Sequence, residues 1–193
     1  MASTYSSNNG IELIGTGEQS GTWGETTNTN LQIIDRALSG VGTIDLSGSA
    51  AAHTLTTTDG TLSDGMYKIL ILDGATEACT ITISPNDSDK FYLVYNNSGY
   101  ACTFTQGSGG DTTIANGDAK IIYANGVGAG SQVSDFTANI SSSSINITGG
   151  SVTGITDLAV ADGGTGSSTV AGAQTNLQVD PAGTAVALAI ALG

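Results

Sequence analysis

The sequence predicts a mainly β protein: an N-terminal helix, an antiparallel β-sandwich or small barrel, then an intertwined trimeric β shaft with a short C-terminal helix and strand. Three observations predict this fold. One early stretch has apolar residues at helical spacing, a long middle segment alternates apolar and polar residues between turn signals, and the segment after it is nearly uncharged and poor in large side chains. Composition agrees, because only 11% of residues are charged and the 28 glycines favour turns.

Residues 1–40 form the first predicted region, a polar tail followed by the one convincing helix, which would attach the protein to a partner or form a trimer collar. Side chains at i, i+4, i+8, i+11 and i+15 share one face of that helix: Trp23, Thr27, Leu31, Ile34 and Leu38. Ser39-Gly40 ends the helix, with the glycine expected in the left-handed conformation. The apolar stripe packs either on the chain's own β-domain or against other copies or a partner, and the sequence leaves both open.

Residues 41–136 form the predicted β-domain, because short period-2 segments alternate there with turn signals such as Asn116-Gly117. The run from Phe91 to Tyr95 is the most apolar of the chain and is expected in a central strand. We expect Tyr92, Tyr95, Tyr100 and Tyr123, which lie in or beside predicted strands, to pack in its core. Cys79 and Cys102 each lie in a predicted strand, where we expect small buried apolar residues rather than a disulfide.

Residues 137–160 form the predicted shaft, in which single aliphatic side chains are separated by Gly, Ser and Thr. A single chain cannot build a core from so few large side chains. Three copies wound about one axis could, because each isolated aliphatic residue would then meet its symmetry mates.

Residues 161–193 are predicted to form a GGTG turn, a short helix from about Ser168 to Leu177 and a terminal strand from Thr184 to Leu192. In that strand alanine alternates with large aliphatics, so both faces would be apolar and should be buried against other copies. The predicted oligomer interface therefore comprises Trp23, Leu31, Ile34, Leu38, Ile145, Ile147, Val152, Ile155, Leu158, Leu177, Val186, Leu188 and Ile190.

The net charge and the pattern of histidines and aspartates exclude several classes of function. A formal net charge of −13 repels phosphate backbones, which argues against a nucleic-acid partner, and the sequence has neither a secretory signal nor an apolar run of membrane-spanning length. His53 is the only histidine and is expected to be solvated or hydrogen bonded. Most aspartates lie in turn signals, where they bond the local backbone, and Asp87-x-Asp89 lacks the further ligands of a calcium loop. We therefore expect no catalysis, no cofactor and no metal.

Two motifs resemble a known family. The segment GEQSGTWGETTNTNL, residues 17–31, resembles the N-terminal motif of tail-fibre-like virion proteins of bacteriophages, many of them marine or cyanobacterial. LAVADGGTG (158–166) followed by AQTNL (173–177) resembles a second module that recurs in phage tail fibres. The resemblance implies a homotrimeric fibre whose N-terminal side contacts other phage tail proteins, in the virion tail and made in the host bacterial cytoplasm.

The chain departs from longer fibres of this family, because it stops soon after the second module, where they carry a receptor-binding head. We therefore expect a short tail fibre or fibre adaptor that links the tail to host-attachment components. A lectin-like head that contacts the host surface and a capsid decoration protein remain the alternatives. The distal partner would be a host surface glycan or another fibre protein.

Overall fold

A computed structural model describes residues 2–48, 51–137, 160, 164–179 and 184–193. The chain divides into two compact units, Met1–Ser141 and Ser142–Gly193. The described residues are mixed α/β, mostly strand, with three sheets and three α-helices, and they form no closed barrel. The predicted mainly β character is therefore confirmed, and the barrel alternative is wrong for this part of the chain.

The first unit begins with a small hairpin where the sequence predicts a polar tail. Strands β1 (Thr4–Tyr5) and β2 (Glu12–Leu13) pair antiparallel. The hairpin loop is fixed to the β-domain, because Ser88 Oγ donates to Ser7 O at 2.6 Å and Lys90 Nζ donates to Asn8 O. The N-terminal hairpin is therefore held in place on the β-domain.

The predicted helix is confirmed as α1 (Trp23–Ser39). The expected left-handed glycine at its end is wrong, since Gly40 has φ −67° and extended backbone. Glycine is needed there for another reason. A Cβ at position 40 would lie 2.5 Å from Arg36 O, the carbonyl to which Gly40 N donates its hydrogen bond.

Nine strands follow α1 and build two facing sheets. Their bounds are β3 (Val41–Asp45), β4 (Ala52–Thr56), β5 (Ile69–Asp73), β6 (Cys79–Ser84), β7 (Asp89–Asn97), β8 (Cys102–Thr105), β9 (Thr112–Ile114), β10 (Ala119–Asn125) and β11 (Val133–Asp135). The five-stranded sheet has the order β11-β10-β7-β5-β3, and the four-stranded sheet has the order β4-β6-β8-β9. The run Phe91–Tyr95 lies in β7, which is the middle strand of its sheet, as predicted.

The predicted antiparallel pairing is wrong for most of this domain. From β3 to β8 the chain alternates between the two sheets, and each strand pairs parallel with the strand two places along the sequence. The chain therefore coils: Val41, Ile69 and Leu93 occupy equivalent places in successive turns of the coil. Only the last strands are antiparallel, where β9 pairs with β8 and β10 pairs with β7 and β11.

The core lies between the two sheets, where alternate side chains of both meet. Its largest fully buried members are Tyr92, Phe104, Leu55, Leu70, Leu72, Ile81, Ile83, Ile114 and Ile122. Cys79 and Cys102 are free, buried and directly paired in register on β6 and β8. The expectation that they act as buried apolar residues is confirmed.

In the second unit the predicted short helix is confirmed as α2 (Val170–Leu177), which Thr169 caps by accepting a hydrogen bond from Gly172 N. The predicted terminal strand is wrong, because Thr184–Leu192 forms helix α3. Alternating alanine and aliphatic residues fit a strand by period, but alanine has the highest helix propensity of all residues. Residues 138–159 of the predicted shaft (137–160) lie outside the described residues, so the structure leaves a trimeric shaft untested.

Candidate assembly interface

The apolar stripe of α1 lies in solvent in the single chain. Trp23 is 61% exposed, Leu31 58% and Leu38 71%, and Ile34 is 39% exposed. The side of α1 that packs on the β-domain is centred instead on Ile33, which is fully buried. At 3.6 residues per turn that side lies about a third of a turn from the centre of the stripe. The helix therefore packs on its own domain and still presents an apolar stripe.

Specific contacts fix the orientation of that stripe. Asn30 holds the hairpin through a reciprocal pair: its Oδ1 accepts from Glu12 N at 2.9 Å, and its Nδ2 donates to Glu12 O at 2.8 Å. Near the C-terminal end of α1, the Arg36 guanidinium lies 4.4 Å from the centre of the Tyr67 ring and Nη1 donates to Ser63 O. These contacts anchor the middle and the C-terminal end of α1, so the exposed stripe has a fixed orientation on the surface.

A groove separates α1 from the edge strand β3. It has a volume of about 550 Å³, and its walls include Leu31 and Asp35 of the helix and Val41 and Tyr67 of the β-domain. Leu31 belongs to the exposed stripe, and Val41 is 54% exposed on the outer face of the five-stranded sheet. The groove therefore joins two apolar surfaces of the same unit.

The helices of the second unit are also exposed. Leu177 of α2 is 45% exposed, and the α3 side chains of Val186, Leu188 and Ile190 are each at least 60% exposed. The turn before α2 is held by Asn176, whose Nδ2 donates to Thr165 O and Gly166 O at 3.0 Å each. Within the described part of this unit, α3 therefore presents its apolar side chains to solvent.

The predicted interface residues thus fall into two groups. Every member that the structure describes is exposed, on α1, α2 or α3. The remaining members, Ile145, Ile147, Val152, Ile155 and Leu158, lie outside the described residues. Exposure is what an interface residue shows in a single chain, but it does not by itself show what covers the residue.

The histidine and aspartate side chains that could serve in catalysis or metal binding make structural hydrogen bonds instead. His53 Nε2 lies 2.9 Å from Asp64 Oδ2, and Asp64 Oδ1 accepts from Thr56 N at 2.8 Å. Asp89 Oδ1 accepts from the Tyr123 hydroxyl, and this hydrogen bond raises the pKa of Tyr123. Within the described ranges no three His, Cys, Asp or Glu residues are grouped closely enough to hold a metal ion. The hydrogen-bonded state expected for His53 is confirmed.

The outer face of the five-stranded sheet is a surface that was not predicted from the sequence. The expectation that the strand tyrosines pack in the core holds for Tyr92, which is buried, but is wrong for Tyr95 and Tyr100, which are 43% and 47% exposed. Phe91 and Leu93 are also exposed. The signal was present, because period 2 places Phe91, Leu93 and Tyr95 on the face opposite Tyr92.

Comparison of the chain with protein-family models, curated proteins and solved structures finds no match. Among the helices in the described ranges, none is both long and apolar enough to span a membrane.

Proposed function

We propose that the chain is a structural protein of a bacteriophage tail, a homotrimeric short tail fibre or fibre adaptor that performs no catalysis. The observation that carries the proposal is the exposed stripe on α1. The helix begins within the motif that resembles the N-terminal segment of tail-fibre-like proteins, and the same helix presents Trp23, Leu31 and Leu38 to solvent. A collar of three such helices would bury the three stripes against one another.

The energy available to this collar is substantial. Full burial of one large apolar side chain stabilises an assembly by about 1.5–3 kcal/mol. Trp23, Leu31 and Leu38 are 58–71% exposed, so nine such side chains in three helices offer on the order of 8–17 kcal/mol. Joining three chains incurs the cost of association twice, at about 4–15 kcal/mol each time, so the collar offsets this cost together with further contacts. The exposed residues of α2 and α3 would add a second contact toward the other end of the chain.

The proposed partners follow from this arrangement. The N-terminal side would dock on other tail proteins, and the C-terminal helices would face a further fibre protein or the host surface. A carboxylate on the stripe should disrupt the collar, whereas one elsewhere on α1 should not. Leu38→Asp and Asn28→Asp form a matched pair, because both residues are exposed but only Leu38 belongs to the stripe.

The test has two parts. Light scattering during size exclusion should give a trimer for the wild type and for Asn28→Asp, and a smaller species for Leu38→Asp. Gold-labelled antibody against the chain should mark the tail of virions that contain it. A monomeric wild type at micromolar concentration contradicts the trimer, and label on the capsid contradicts the tail location.

A receptor-binding role is the second candidate, and one observation favours it. The outer face of the four-stranded sheet carries threonine hydroxyls in rows, for example Thr54, Thr82 and Thr105 in one register. Hydroxyl groups donate and accept hydrogen bonds, as recognition of a surface glycan requires. Adsorption of the full chain to host cells, in competition with virus, would support this role, and absence of adsorption would exclude it.

A further inference from the structure

The outer faces of the two sheets of the β-domain differ in polarity. On the four-stranded sheet the outward residues are small and polar: one row is Ala52, Thr80, Thr103 and Thr113, and the next contains Thr54, Thr82 and Thr105. Threonine suits a strand through its branched Cβ and suits solvent through its hydroxyl. This sheet shows what a water-exposed outer face looks like in this protein.

The five-stranded sheet departs from that pattern. One register row across it is aliphatic in four adjacent strands: Ile121, Leu93, Ile69 and Val41. Phe136 extends the row, since its N–H donates to Ile121 O. A sheet face of this composition is typical of a buried surface rather than a solvated one.

Neighbouring rows continue the same surface. Tyr95 lies beside Ile71 in one adjacent row, and Phe91 lies beside Tyr123 in the other. Phe91 also has the Lys68 ammonium over its ring, 4.2 Å from the ring centre. We call these three rows the apolar sheet face. They contain no carboxylate, and the nearest acidic residues of the same strands, such as Asp73 and Asp89, lie at the strand ends.

We propose that the apolar sheet face is the contact between β-domains of neighbouring copies, with the threonine face turned outward to solvent. The inference rests on the proposed homotrimer and names the surface on which its β-domains meet. It goes beyond the helix collar, since none of these residues belongs to α1.

Area supports a second copy as the occupant. Five strands about 4.8 Å apart and three rows about 6.7 Å apart cover on the order of 450 Å². The stripe of α1, 17 residues long, adds on the order of 140 Å² at 1.5 Å per residue and half the helix width. Together the two areas reach about three quarters of the roughly 800 Å² that each partner contributes to a stable interface. The groove between Leu31 and Val41 joins the two areas into one surface.

Charge supports the same occupant. Each chain has a formal net charge of −13, so copies repel one another over most of their surface. The rows of the apolar sheet face contain no carboxylate. They are bordered by Lys68, which makes no ion pair within the described residues, and by Asp89, which accepts a hydrogen bond from Tyr123. Two acidic copies therefore repel one another less across this face than over most of their surface, and unlike the equally uncharged threonine face it is apolar. A contact through this face would have the usual anatomy of an interface, with an apolar centre and a polar rim.

A matched pair of variants tests the proposal in the full chain. Leu93 and Thr82 both point outward from an interior strand of their sheets, Leu93 on the apolar sheet face and Thr82 on the threonine face. Leu93→Asp should lose the trimer, whereas Thr82→Asp should keep it. If the wild type is a trimer and Leu93→Asp remains one, this inference is wrong while the proposed trimer stands. If the wild type is not a trimer, the proposed function fails first.

A second measurement on the unmodified chain does not depend on any variant folding. Tyr95 and Tyr100 have nearly equal exposure in the single chain, and only Tyr95 lies on the apolar sheet face. Hydroxyl-radical labelling of the trimer should therefore lose most of its signal at Tyr95 and keep it at Tyr100. Equal labelling in the trimer overturns the inference. Protection of Tyr95 that persists in dissociated monomers also overturns it, because the chain itself would then cover the face.

Discussion

Asn96 lies fully buried in β7, and we predict that its replacement by alanine strongly destabilises the β-domain. Its side chain makes four hydrogen bonds with nitrogen and oxygen partners, and Oδ1 also accepts a longer one from Cys102 Sγ at 3.8 Å. Nδ2 donates to Ile114 O at 2.8 Å and to Tyr100 O at 2.9 Å, while Oδ1 accepts from Ser98 N at 3.1 Å and Ser98 Oγ at 2.7 Å. One side chain thus ties the turn after β7 in one sheet to β9 in the other.

The magnitude follows from these contacts. Each buried hydrogen bond contributes a net 0.5–1.5 kcal/mol, and groups left unsatisfied add to the loss, so Asn96→Ala should cost about 3 kcal/mol. The loss of stability is reduced because Tyr100 O keeps a second hydrogen bond, which it accepts from Ser98 Oγ. For a unit of this size a loss of 3 kcal/mol lowers the melting temperature by about 10 °C.

Thermal unfolding followed by circular dichroism provides the measurement, at one fixed chain concentration because assembly also contributes to stability. Asn97→Ala is the matched control, since Asn97 is the next residue of β7 and is exposed. It should change stability by no more than about 0.5 kcal/mol. If the two variants unfold at the same temperature, the buried network does not hold the two sheets together as argued.

Two further predictions concern the same domain. Gly42→Ala should destabilise it by about 1–3 kcal/mol in urea unfolding, because a Cβ at position 42 would lie 2.3 Å from the Tyr67 ring; an unchanged midpoint would contradict this packing. Burial lowers the pKa of Lys90 to about 8, so between that value and 10.5 the unfolded state holds a proton that the folded state has released, and stability rises with pH. Relative to Lys90→Met, the wild type should therefore gain about 1–2 kcal/mol from pH 8 to pH 9.5, and a flat difference would refute the burial of that charge.

Helix α1 was predictable because its signal is local. Five positions at helical spacing and a glycine after them are properties of one short segment, and the bounds agree with the sequence. The direction of packing was not predictable. Ile33 and the apolar stripe are both compatible with a buried side, and only the hairpin and Tyr67 decide which one faces the domain.

The parallel coil could not be predicted from the same kind of signal. Period-2 segments separated by Asp-Gly or Asn-Gly turns are typical of hairpins, but a corner where the chain crosses to the opposite sheet uses the same residues. Parallel partners such as Ile69 and Leu93 are distant in sequence, so no local pattern records their pairing. The prediction of a terminal strand from Thr184 to Leu192 failed for a related reason. A strict alternation of alanine with aliphatics has the period of a strand, but its composition favours a helix.

The candidate interface was predicted in part. The α1 stripe was predicted from periodicity. The apolar sheet face was not predicted and its Tyr95 was expected in the core, because an apolar run does not reveal that only one of its two faces has a partner in the same chain. The second sheet covers Tyr92 and Val94, whereas Phe91, Leu93 and Tyr95 lie on the opposite, exposed face of β7. The sequence does not record where the second sheet packs.

The central claim is that three copies assemble through apolar surfaces that a single chain leaves exposed. Sedimentation equilibrium of the full chain at micromolar concentration tests it most directly. We predict a single species with three times the 19.1 kDa mass of one chain. A stable species with the mass of one chain, with the α1 stripe and the apolar sheet face still exposed, would contradict the claim.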